Sequence, residues 1–323
     1  MTPLLSVIVV CFNMARELPR TLFSLSRPYQ QHISREEYEV ILVDNGSDEP
    51  PDIDEYSRLD VNLSIIAMTG AGSSPVPAIN RGIEAATGAY IGVFIDGARM
   101  ASPGLLAGAL AALKAIPRAV VGSRGRYLGH KLQRILIAKG YDRRFEDRML
   151  ANCDWQGDGY LLFDLSTFDE SSGPTWFDRI SESNSLFMMR SMWGELGGYD
   201  PLFTQPGGGM VNLDTWFRAC HLPGTHAVVL LGEATFHQIH GGVATNSAED
   251  KYQIFNVDYR ALRGHDHYCP DKRLIYWGEF RHCPPVWELC SPCAQMMRWQ
   301  RLLKSLRMRL KLLAWKTVLK LRA

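Results

Sequence analysis

The chain has 323 residues, 46% of them hydrophobic, with 35 Lys+Arg against 34 Asp+Glu. This composition excludes a disordered, collagen-like or coiled-coil chain, and the length allows one large domain or a domain with an appendage. No run approaches the roughly 18 apolar residues needed to cross a bilayer, no basic cleavable leader opens the chain, and seven scattered cysteines do not make a disulfide scaffold, so the expectation is a cytoplasmic protein.

In chain order, short β-branched runs alternate with helical patterns up to residue 120. Ser6–Cys11 reads as a buried strand and Ala15–Leu25 as the helix behind it. Tyr38–Val43, Leu63–Met68 and Ala89–Ile95 are predicted as further strands. Pro75–Ala86 reads as a helix, with prolines near its start and Gly88 past its end, and Pro103–Ala115 as another. Strands spaced by helices imply a largely parallel sheet, whose ligands sit at the carboxyl ends of the strands. Asn13, Asp44-Asn45-Gly46-Ser47 and Asp96-Gly97 would then share one rim.

From Ser123 to Glu182 the alternation dissolves among aromatic and charged residues, such as Asp154-Trp155, and predicts an insertion lying over the sheet. Regular structure resumes with a strand over Ser185–Arg190. It continues with Gly197-Gly198-Tyr199-Asp200, a glycine loop at Gly207–Gly209, a helix over Asn212–His221 and a strand over His226–Leu231.

Four early segments, in order, resemble the glycosyltransferases of family 2: Ser6–Asn13 (SVIVVCFN), Tyr38–Ser47 (YEVILVDNGS), Pro77–Gly88 (PAINRGIEAATG) and Tyr90–Asp96 (YIGVFID). Gly197–Asp200, and Asp214 with Arg218, are similar to a later acceptor-side block. The resemblance implies a GT-A fold, an α/β Rossmann-like domain with a mostly parallel central sheet, here carrying a mid-chain insertion and a C-terminal amphipathic helix. Residues 1–122 would be the nucleotide-sugar-binding half and 123–246 the insertion and acceptor-binding half. Residues 247–290 would form a helical, Cys/His-rich lobe, and 291–323 a basic tail. Phe12 and Asn13 would line the nucleotide pocket, with Asn80 also on the donor side. Asp44 would accept from the base, since a carboxylate accepts a ring N–H better than an amide does. Asp, Asn and Gly are equally the ordinary residues of a turn.

Two departures from the family pattern stand out. The family ends its fourth strand in Asp-x-Asp, whose second carboxylate holds Mg²⁺ or Mn²⁺ on the diphosphate, whereas here the segment is Asp96-Gly97-Ala98-Arg99. Ala98 offers only its backbone to a hard cation. Asp96 then holds the donor ribose or shares a metal with a histidine. Arg99 either supplies positive charge to the leaving diphosphate or lies solvated at the start of a loop. The family's catalytic base sits in a Glu-Asp pair; aligning on Arg218 puts Val211 and Asn212 there, and an amide is no general base. Asp214 is either the base or half of an i,i+4 ion pair with Arg218. Glu182, where the family lines the donor-sugar site, is the second candidate base. His237 and His240 follow the last strand, where family relatives carry a histidine near the metal; His240 is the expected ligand, and imidazole favours Mn²⁺ over Mg²⁺.

The reaction so implied is inverting transfer of a sugar from a nucleotide-diphosphate donor to a glycan or lipid-linked acceptor hydroxyl. The replacement of family carboxylates by Ala98 and Asn212 keeps open an alternative, an inactive GT-A domain that binds a glycan or a partner. Residues 291–323 hold nine basic and no acidic residues, leaving a balance of −8 on the rest of the chain. On a helical wheel Trp299, Leu302, Leu303, Leu306, Leu310 and Leu313 share one face opposite the charges. Residues 298–323 therefore read as an interfacial helix on an anionic membrane, at its cytoplasmic face, rather than as a nucleic-acid contact. Cys290-Ser-Pro-Cys293 has the gap of a zinc knuckle, but the spacing of the neighbouring Cys and His fits no common zinc pattern, and reduced thiols are expected.

Overall fold

Every residue of Leu5–Cys11 is buried because the strand it forms, β1, is covered on both faces. Val7 and Val9 pack into one apolar cluster with Leu22, Leu42, Leu106 and Ala109. Ile8 and Val10 point the other way, onto Ile41, Ile79, Trp193 and Trp216. A parallel strand buried on both sides shows a continuous apolar run rather than alternation, which is why it was legible in the sequence.

The computed structural model describes residues 2–70, 72–241 and 252–289. The expected amphipathic tail and the Cys290–Cys293 pair lie outside the described residues. In chain order the elements are β1 (Leu5–Cys11), α1 (Leu18–Ser24), β2 (Tyr38–Asp44), β3 (Leu63–Ala67), α2 (Val76–Ala85), β4 (Tyr90–Phe94), β5 (Arg99–Ala101) and α3 (Leu105–Ala115). They continue with β6 (Ala119–Leu128), α4 (Gln133–Ile137), α5 (Arg143–Ala151), β7 (Ser166–Phe168), β8 (Ser185–Met189), α6 (Arg190–Leu196), α7 (Val211–His221), β9 (His226–His237), α8 (Tyr252–Arg263), β10 (Leu274–Gly278) and α9 (Val286–Leu289).

The sheet order is β10-β9-β6-β8-β4-β1-β2-β3, with β5 antiparallel on β9 and β7 antiparallel on β6. Along the main path β8 alone runs against its neighbours, β4 and β6. The sheet is therefore mostly parallel, as expected, and the carboxyl ends of β1, β2, β4, β6 and β9 meet the amino end of β8 along one rim. Among the described residues, no helix is long and apolar enough to cross a membrane.

β6 runs straight through the expected division between residues 122 and 123. Its second half lies in the expected insertion and carries Arg124 and Arg126, both buried. Arg124 donates to the carbonyls of Trp176 and Asp178, and Arg126 pairs with Glu288 at 2.8 Å while lying 4.3 Å from the Phe168 ring centre. A buried charge is tolerated when its donors are fully engaged. Residues 129–184 follow as short helices and β7, beneath which Trp155, Phe163, Phe168, Trp176 and Phe236 form a third apolar cluster.

Candidate active site

At the centre of the rim β4 ends and Asp96 folds back on its own loop. Its Oδ1 accepts from the Ala98 N–H at 3.0 Å and its Oδ2 from Arg99 Nε at 2.9 Å. Arg99 is not a solvated loop residue: it opens β5, is 4% exposed, and its Nη1 is buried without a hydrogen-bond partner. β5 pairs with the end of β9, so Arg99 lies directly opposite His237. His237 Nε2 is 3.9 Å from Asp96 Oδ2, and His240 Nε2 is 3.1 Å from His237 Nε2. Burial pushes the Asp96 carboxyl upward, but the Arg99 guanidinium overrides it and holds the group at about 2. Burial, reinforced by Arg99, drives the His237 imidazole well below its usual range, and burial lowers His240 as well.

Asp96, His237 and His240 are the group that converges for a metal among the described residues, their ligand atoms lying within 4.8 Å of one another. One ionised carboxylate and two neutral imidazoles are a donor set that fits a borderline divalent ion such as Mn²⁺. Gln133 supports it: His237 Nδ1 lies 3.2 Å from Gln133 Oε1. With the proton on Nδ1, the Nε2 lone pair faces Asp96 and His240, the usual way an outer partner fixes a ligating tautomer.

The turn between the histidines is held from outside. Both carboxylate oxygens of Glu146, on α5, accept from the Ile239 N–H at 3.2 and 3.0 Å. Arg16 donates to the Ile239 carbonyl at 3.0 Å, and Arg143 to that of His240 at 2.6 Å. Arg20 reaches the Gln238 side chain at 3.3 Å. Burial pushes the Glu146 carboxyl up to about 7 despite these donors.

At the amino end of β8, Glu182 is half-buried and accepts from Asn212 Nδ2 at 2.7 Å. Asn212 also donates to Asn184, whose own amide donates to Asp169. Burial first, and then the neighbouring Asp169, push the Glu182 carboxyl up. Asp214, one turn of α7 beyond Val211, has no exposed surface. Its Oδ2 accepts from Arg218 at 2.7 Å and from Arg263 at 2.8 Å, and its Oδ1 from Arg263 at 2.7 Å. The i,i+4 pair is present, with a second guanidinium from α8 that no local spacing could have shown.

At the β1–β2 end of the rim, Phe12 is exposed. Asn13 adopts φ 53° and clips the two loops together: its Nδ2 donates to Asp48 and its Oδ1 accepts from the Asp48 N–H. Asp44 is buried, with Oδ1 accepting from Ser47 Oγ at 2.5 Å and both oxygens from the Ser47 N–H, so it closes the turn after β2. Gly46 at φ 86° makes that turn possible. Asn80, expected at the donor, exchanges two hydrogen bonds with the Tyr199 backbone and ties α2 to the Gly197–Asp200 loop. Among the Cys/His residues of the C-terminal segment that are described, His282 stacks on Phe163 at 3.7 Å and Cys269 donates to the Ile180 carbonyl.

The sequence model of glycosyl transferase family 2 matches residues 6–162. Among curated proteins, the chain is 37% identical over 99 residues to the uncharacterized glycosyltransferase EpsJ of Bacillus subtilis strain 168, a match covering 30% of this chain and 26% of the relative. Among solved structures, TarS 1–349 of S. aureus in complex with UDP-GlcNAc superposes with a TM-score of 0.52 at 15% identity, over 80% of this chain and 65% of that one. The same S. aureus fragment without a named ligand gives 0.50 at 16%, over 79% and 65%. At such identities the structural likeness is one of fold. The chain thus spans about a quarter of the curated relative and about two thirds of the TarS fragment.

Proposed function

We propose, for a chain that belongs to glycosyl transferase family 2 through residues 6–162 and has the GT-A fold, that it transfers a sugar with inversion from a nucleotide-diphosphate donor to a glycan or lipid-linked acceptor hydroxyl. The observation that carries this reading is the meeting of Asp96, Arg99, His237 and His240 on the same rim as Glu182. TarS, which shares the fold, is known in complex with UDP-GlcNAc, and that supports a nucleotide-sugar donor here.

Asp96, His237 and His240 would hold Mn²⁺ or Mg²⁺, and such an ion supplies neutralising charge to the leaving diphosphate. Arg99 offers a second positive charge, and its unpaired Nη1 is a donor that an incoming anion completes; leaving a buried donor unmet costs about 1–3 kcal/mol. Glu182 is the acceptor's base. Its raised affinity for protons brings it nearer neutrality, where a base both exists and binds a proton usefully, and Asn212 holds one oxygen in place. Asp214, locked between Arg218 and Arg263, is left to brace α7 against α8. Phe12 and Asn13 form the nucleotide side of the pocket. The proposed organisation keeps residues 1–122 for the donor and 123–246 for the acceptor, with 298–323 as the contact to an anionic membrane.

The test is release of nucleotide by the purified protein from a panel of UDP-, GDP- and TDP-sugars, with Mn²⁺ or with EDTA. The expected result is turnover of one donor, diminished by EDTA. No binding and no release of any donor, with or without added glycan acceptors, overturns the transferase reading and leaves the glycan- or partner-binding module.

A further inference from the structure

The ion pairs that hold the histidine turn lead outward to a hollow that the transfer site does not use. Arg16 and Arg20 both close on Asp147 Oδ1, at 2.8 and 2.5 Å. Asp147 and Arg20 are in turn part of the wall of an open hollow of about 530 Å³, whose other lining residues run from Leu150 to Gln156. That volume lies within the roughly 300–1,000 Å³ of small-ligand sites. Arg20 touches Gln238 and Arg16 touches the Ile239 carbonyl, so the hollow stands one side chain away from the segment carrying His237 and His240.

The lining selects a chemistry. The carboxylates of Asp147 and Asp154 and the amide oxygens of Asn152 and Gln156 accept, while Arg20 and the amide nitrogens donate, so the lining offers both partners that a hydroxyl group needs. Arg20 is the one cationic side chain in the lining, and it is paired with Asp147, so no surplus cation faces the hollow to attract a phosphate. Trp155 is buried beneath the hollow, packed edge-on against Phe23 and Tyr29, and gives it a firm floor. We propose that this hollow, walled by Arg20, Asp147, Asn152, Asp154, Trp155 and Gln156, is a binding subsite for an uncharged oligosaccharide, the part of the acceptor that lies away from the reacting hydroxyl. The acceptor role rests on the transferase reading above; the binding of a neutral glycan does not.

The experiment is calorimetric titration of the full chain with maltotetraose, cellotetraose, chitotetraose and mannotetraose, with glucose 1-phosphate as an anionic control and UDP-GlcNAc and GDP-mannose as donor controls. Asn152→Trp and Gln156→Trp fill the hollow from two exposed positions, and circular dichroism checks that each still folds. The expected result is saturable binding of one tetrasaccharide, weakened at least tenfold by both substitutions. Binding unchanged by both fillings, binding of the phosphorylated sugar alone, or no tetrasaccharide binding at millimolar concentration overturns the subsite. Tetrasaccharide binding without any nucleotide-sugar binding would sink the transferase reading and leave the subsite standing; nucleotide-sugar binding without tetrasaccharide binding does the reverse.

Discussion

The Asn212 amide donates to Glu182 Oε2 at 2.7 Å, so the residue standing where the family keeps an acid holds another acid in place. Burial and Asp169 already raise the Glu182 carboxyl, and the base proposed here acts only when deprotonated, so rate should climb with pH through that raised value. Asn212→Asp adds a second negative charge against Glu182 and should move the acid limb of the pH–rate profile to higher pH. Glu182→Gln should cost roughly 10²–10⁴ in kcat with nucleotide binding retained. A profile unmoved by Asn212→Asp, or full turnover in Glu182→Gln, would return the base to another group.

Arg99 ties Asp96 to the rim, and removing it strands a largely buried carboxylate. Arg99→Met should lose on the order of 3 kcal/mol in chemical denaturation and lower nucleotide release by about 10²-fold. Arg99→Lys keeps the charge but loses the fork geometry, and should fall between. A methionine variant with wild-type stability and turnover would contradict the role of the pair.

Gln133 is buried, and its Oε1 lies against His237 Nδ1. Outer partners of ligating histidines are worth about 10–100-fold in metal affinity. Gln133→Leu should therefore weaken Mn²⁺ binding at least tenfold in an electron paramagnetic resonance titration without donor. Equal affinity in the variant would remove Gln133 from the site.

Glu233 reports on stability rather than catalysis. It is buried and accepts from Ser102 Oγ, Tyr160 OH and the Gly104 N–H, yet burial raises its carboxyl to about 7. A raised native value means that the folded state holds the proton more tightly. Its stabilisation is complete below the unfolded value near 4.5 and is lost as pH rises to about 7. The loss over that window should be about 3 kcal/mol from this group, and Glu233→Gln should flatten it. Denaturation midpoints at pH 5 and pH 8 that differ as much in the variant as in wild type would disprove the assignment.

The sequence alone determined the first half of the fold. β1, β2 and β4 are apolar runs because parallel strands are buried on both faces, and α2 carries its own stop signals, so local pattern and tertiary environment agree. The rim followed, because strand direction alone puts Asn13, Asp44 and Asp96 at one edge. Tertiary structure decided what local chemistry left open. Near Asp96, where the sequence has Ala98 in place of a second carboxylate, stand two imidazoles, His237 at the end of β9 and His240 just beyond it, well over a hundred residues away in the chain. Arg99 and His237 meet only because β5 pairs with β9. β6 was obscured because its second half, with Arg124 and Arg126, falls in the stretch that reads as an insertion, and the carbonyls and Glu288 that receive those charges are remote in sequence. Between base and ion-pair partner, local spacing left Asp214 undecided; its second guanidinium, Arg263, comes from α8. In each case the deciding partner is remote in sequence, and whether a charge is solvated, paired or ready to react depends on that partner rather than on its neighbours along the chain.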